Sequence, residues 1–74
     1  MGISAVNNSE LTKREKEIIK LIAKGYSNKE ISSFLNISEG TVKTYIKIIM
    51  LKLNARSRVE IAAYYFQNID KFKE

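Results

Sequence analysis

This chain of 74 residues reads as all-α, a tetrahelical bundle carrying a helix-turn-helix. Three observations predict that class. Proline is absent and glycine occurs only three times, so few positions interrupt a helix. Ser/Thr start signals recur along the chain: Thr12-x-x-Glu15, Ser27-x-x-Glu30 and Ser57-x-x-Glu60 as capping boxes, and Ser38 as a further N-cap. Between them, apolar residues recur at helical spacing.

Residues 1–10 show no periodicity. Met1-Gly2 fits an expression remnant, and "AVNNSE" reads as the end of a linker from a longer parent protein. The first helix follows Thr12. Ile18, Ile19, Leu21 and Ile22 gather on one side, and Arg14, Lys16, Glu17, Lys20 and Lys24 on the other. Gly25 suits the left-handed residue that ends a helix.

The second helix starts at Ser27 and runs to about Leu35. Tyr26 and Ile31 flank its box at the spacing of a hydrophobic staple. Ile31, Phe34 and Leu35 are its expected apolar face. Asn36 takes the turn, and Ile37 with Val42 repeats the staple around Ser38. The third helix then spans about residues 39–53, with Asn54 as a left-handed stop. The fourth runs from Ser57 to about Asn68. Residues 11–69 are thus the expected domain, and residues 70–74 a frayed tail.

Composition narrows the function. The net charge of +5 favours an anionic partner, nucleic acid or membrane surface. Histidine and cysteine are both absent, which removes the commonest general base, the commonest metal ligand and any thiolate site. Glu15, Glu30 and Glu60 are explained as capping partners. No enzyme activity, metal or cofactor is expected. No apolar run approaches the roughly 20 residues of a membrane span and no signal peptide is visible, so the expected location is the cytoplasm.

The third helix carries the functional reading. Val42, Ile46, Ile49 and Leu53 fall in one arc at about 100° per residue and must face the core. Lys43, Thr44 and Lys47 lie opposite. Two lysines alone are no more than a solvated face. Joined to the tight turn, the anchored arc and the positive charge, they suit the DNA major groove, where lysine donors reach guanine N7 and O6. The second helix would cross the DNA backbone, as in a helix-turn-helix.

The stretch from Leu11 to about Tyr65 strongly resembles the LuxR/NarL-type, or GerE-like, helix-turn-helix family. The matching motifs are "LTKRE", "IAKGYSNKEI", "ISEGTVK", "KL" at Lys52-Leu53 and "RSR" at Arg56 to Arg58. The resemblance implies base contacts at Lys43, Thr44 and Lys47, and phosphate contacts at Asn28, Lys29, Ser38 and Thr41. It also implies that the fourth helix pairs two copies into a homodimer on double-stranded DNA. Such domains usually form the output of two-component response regulators. Quorum-sensing receptors and stand-alone regulators are the alternatives, with RNA polymerase a further candidate partner. The sequence departs from the family at Tyr45, where histidine is common, and at Ile48 and Leu51, where a polar residue is more usual.

On the fourth helix, Ile61, Ala62, Tyr65 and Ile69 form one stripe, and Val59, Ala63 and Phe66 another. The first is assigned to the core and the second to the dimer contact that the resemblance implies; helical periodicity alone leaves the reverse assignment open. A protein-interaction helix-turn-helix remains the alternative of a different class, since function does not follow from fold. The basic pair Lys43 and Lys47 argues against it. A membrane-surface helix fares worse, because the apolar faces are sized to pack on one another.

Overall fold

In the computed structural model, which describes residues 10–73, four helices follow one another: α1 (Lys13–Ala23), α2 (Asn28–Leu35), α3 (Glu39–Leu53) and α4 (Arg58–Gln67). The expected lead-in lies outside the described residues except for Glu10. Each helix starts where its cap lies. At α1 the Thr12 hydroxyl accepts from the Glu15 N–H at 3.1 Å, and the Glu15 carboxylate accepts from the Thr12 N–H at 2.8 Å. Ser27 and Glu30 repeat this box at α2 with the same distances. At α4 the box is incomplete: the Glu60 carboxylate reaches one residue further back and accepts from the Arg56 N–H at 2.6 Å.

The first three helices end alike. Gly25, Asn36 and Asn54 have φ of 91°, 60° and 56°, the left-handed region that glycine and asparagine tolerate best. The residue after each then folds back. Tyr26, Ile37 and Ala55 donate to the carbonyls of Leu21, Ser32 and Met50 at 2.9–3.1 Å. Orphan carbonyls are satisfied and the chain reverses within two or three residues.

The core lies between the helices. Ile18, Ile19, Ile31, Val42, Ile49 and Ile61 are fully buried, so every helix contributes at least one β-branched side chain. Helix α1 packs mainly on α4, and α2 on α3. The α3 arc falls as expected, with Val42, Ile46 and Ile49 buried and Leu53 half-buried against them.

Three assignments differ from the sequence reading. Phe34 is 68% exposed, resting edge-on against Tyr26 with ring centroids 6.2 Å apart. Ser32 takes the inner position instead and donates to the Lys29 carbonyl at 2.8 Å. With Ile31, Ser32 and Leu35 turned inward, Phe34 lies roughly 100° off the centre of that face. Ile69 is 40% exposed, because α4 stops at Gln67 and the stripe stops with it. The frayed tail is replaced by a 3₁₀ turn over Ile69–Phe72. Phe72 is only 4% exposed and packs edge-on against Tyr65 and Tyr64, at 4.9 and 6.1 Å between centroids. Burial of one large ring holds the segment down.

One ion pair ties the ends of α1 and α3 together. Lys52 Nζ donates to Glu15 Oε1 at 2.9 Å and Oε2 at 3.1 Å, and to the Glu10 carbonyl at 3.1 Å. Burial alone would push the Glu15 carboxyl up. The Thr12 N–H and the Lys52 ammonium outweigh it and hold the carboxyl below its ordinary value.

Candidate nucleic-acid interface

Helix α3 begins at Ser38. Its Oγ accepts from the Thr41 N–H at 3.0 Å, and its hydroxyl donates to Thr41 Oγ1 at 2.9 Å. The Val42 N–H is taken by the Ser38 carbonyl. The Glu39 and Gly40 N–H groups remain without intrahelical partners at the positive end of the helix dipole. A Cβ on Gly40 would meet only Ser38 Oγ, at 3.8 Å. Packing does not demand glycine there, and its bare backbone leaves an anion room to approach. Glu39, in the same turn, works against an anion.

Lys43, Thr44 and Lys47 are exposed on the side of α3 opposite the buried arc. Lys43 and Lys47 stand one turn apart, and neither forms an ion pair among the described residues. Thr44 Oγ1 donates to the Gly40 carbonyl at 3.1 Å. Its proton is committed to the backbone, so Thr44 offers its methyl group and its lone pairs outward. Tyr45 is half-buried against the core. Ile48 and Leu51 project outward, 38% and 82% exposed.

A groove of roughly 350 Å³ runs beside this face, lined by Asn28, Lys43, Lys47, Met50, Arg56 and Arg58 among others. Arg58 fixes one wall. Its Nη1 donates to Asn28 Oδ1 at 2.6 Å and its Nη2 to the Tyr26 carbonyl at 2.9 Å, which locks the start of α4 onto the start of α2. Thus Lys43, Lys47 and Asn28 line one groove, while Lys29, Thr44, Ser38 and Thr41 are exposed beyond its lining. The sequence alone gives Arg56 and Arg58 no functional role. The "RSR" run was their only signal, and nothing local indicates that it lands beside α3.

This is a 15-residue helix buried along one face and basic along the other, its lysines without ion-pair partners among the described residues, held by a tight turn to a preceding helix. The family described as "Bacterial regulatory proteins, luxR family" matches residues 9–65. The chain belongs to that family. It is a LuxR-family helix-turn-helix domain of the DNA-binding, transcription-regulating kind. It is 49% identical over 59 residues to the nitrate/nitrite response regulator protein NarP of Escherichia coli, covering 80% of this chain and 27% of NarP. It is 50% identical over 58 residues to the response regulator protein VraR of Staphylococcus aureus, covering 78% of this chain and 28% of VraR. VraR of Staphylococcus epidermidis gives the same figures, 50% over 58 residues, 78% of this chain and 28% of that protein. The LuxR-family domain therefore spans a little over a quarter of the length of these relatives.

In the LuxR-family fold, α4 turns Ile61 into the core and leaves Val59 73% and Phe66 61% exposed, with Ala63 exposed between them. At about 100° per residue these three lie within a narrow strip. No helix among the described residues is long and apolar enough to cross a membrane.

Proposed function

We propose that this domain binds duplex DNA sequence-specifically, without catalysis, as the effector domain of a bacterial response regulator in the cytoplasm. Helix α3 enters the major groove, with Lys43, Thr44 and Lys47 at base edges. Lysine ammonium groups suit guanine N7 and O6, and the Thr44 methyl and lone pairs complement thymine methyl or an amino donor. Asn28, Lys29, Ser38 and Thr41 hold phosphates on either side, joined by Arg56 at the groove wall. Val59, Ala63 and Phe66 pair two copies on adjacent half-sites. In the full regulator, RNA polymerase is the further partner. The names of NarP and VraR support the response-regulator setting.

The observation that carries the reading is the Lys43–Lys47 pair: outward, without an ion-pair partner among the described residues, and backed by a fully packed face. The test is selection of a preferred duplex from random sequence, followed by titration of variants. Lys43→Ala or Lys47→Ala should weaken binding by roughly 1–3 kcal/mol, about 5- to 150-fold, and relax one base position. Lys24→Ala should change it far less. Equal losses at Lys24, Lys43 and Lys47, or no enrichment of any sequence, would overturn the groove reading.

A further inference from the structure

A second basic surface lies away from α3. Lys13, Lys16 and Lys20 of α1 line one side of a shallow cleft of about 260 Å³, and Lys71 and Lys73 line the other. None of its lining residues is shared with the groove beside α3. The one acid in the lining, Glu17, is already paired with Arg14 at 3.4 Å. Among the described residues, only Lys73 of these five lysines has an acid partner, the exposed Asp70. Five like charges around one cleft repel one another, and among the described residues they are offset only by the exposed Asp70 beside Lys73 and by Glu17, which Arg14 already holds.

We propose that this cleft is a second, sequence-independent site for the phosphate backbone of duplex DNA. Two features select a phosphate polymer over an acidic protein segment. The floor residue, Phe72, is 4% exposed, so the cleft has no open apolar anchor of the kind that dominates protein interfaces. Its cations are all lysines, point charges that can track a row of phosphates without a fixed geometry. From Lys13 to Lys20 the helix rises about 10.5 Å, and a duplex lying along it offers about six phosphates over that length. A domain holding DNA on two faces can bridge two duplexes or fold flanking DNA back onto itself. The proposal stands apart from the reading of α3, since it concerns a different face.

The experiment uses the 74-residue chain carrying Phe66→Asp, so that pairing through α4 does not link duplexes. The protein is bound to an immobilised duplex, and a labelled random-sequence duplex of about 20 base pairs is offered at low salt. Capture of the second duplex is expected. The triple variant Lys16→Gln/Lys20→Gln/Lys71→Gln should cut that capture at least fivefold while first-duplex binding falls less than threefold. Its salt slope for capture should be shallower by about 2.7, or 0.9 for each phosphate lost. Circular dichroism confirms that the triple variant is folded.

Four results would overturn the proposal: no capture by the parent protein, or capture unaffected by the triple variant. A triple variant that loses both duplexes equally would make the cleft part of a single DNA face. Cleft-dependent binding of a glutamate-rich peptide without capture of a second duplex would assign the cleft to an acidic protein. Loss of first-duplex preference alone would sink the α3 reading and leave the cleft standing.

Discussion

Lys52→Met tests the joint between the helix that starts the domain and the helix that presents its lysines. Methionine keeps most of the lysine stem and removes the ammonium group. Glu15 is then left with its side chain 5% exposed and without its cation. Breaking a fully buried pair typically costs 3–5 kcal/mol, because the surviving charge is stranded. Two facts lower that figure here. The Lys52 side chain is itself 20% exposed, and Glu15 keeps its bond from the Thr12 N–H. A loss of about 2–3 kcal/mol is the result, which for a domain this small is roughly 10–20 °C in melting temperature.

The pH dependence supplies a second readout. In the native protein the Glu15 carboxyl is held below its ordinary value. Its contribution is therefore present above the unfolded-state value of about 4.3, and is lost as pH falls through the lower folded value. Protonated Glu15 needs no ammonium partner. The gap between native and Lys52→Met should narrow as pH falls from 7 toward 3. Thermal melts followed by circular dichroism at several pH values measure both quantities. A variant melting within about 3 °C of the native protein at pH 7 would refute the reasoning. So would a gap that stays constant down to pH 3.

Two other outcomes follow from the packing of α4 and the segment after it. Phe66→Asp should leave the melting temperature within a few degrees of native, because the ring is 61% exposed, and should abolish cooperative binding to paired half-sites. Unfolding, or unchanged cooperativity in sedimentation or gel-shift assays, would remove α4 from the dimer contact. Phe72→Ala should cost about 2–4 kcal/mol by opening a cavity beside Tyr64 and Tyr65, measured by urea denaturation. An unchanged midpoint would mean that the 3₁₀ turn contributes nothing to the core.

The sequence by itself determined the four helices, their starts, the stops of the first three, and the face of α3 that is buried. All of these are set within about five residues. A Ser or Thr cap bonds three positions on, a left-handed Asn or Gly closes five positions back, and an apolar arc repeats every three or four. The exposed pair Lys43 and Lys47 was legible for the same reason: once Val42, Ile46 and Ile49 face inward, those lysines have nowhere else to point.

The tertiary structure alone decided how the helices cross, and so every contact between distant residues. Glu15 passes for a complete capping partner until Lys52, 37 residues on, arrives at 2.9 Å. Arg58 meets Asn28 across 30 residues and turns a surface motif into a groove wall. Phe34 and Phe72 exchange their expected places because helical spacing fixes an angle around each axis, while burial depends on which side its neighbours occupy. No local rule brings Lys13, Lys16 and Lys20 opposite Lys71; that cleft exists only because Phe72 docks into the core and carries its flanking lysines with it.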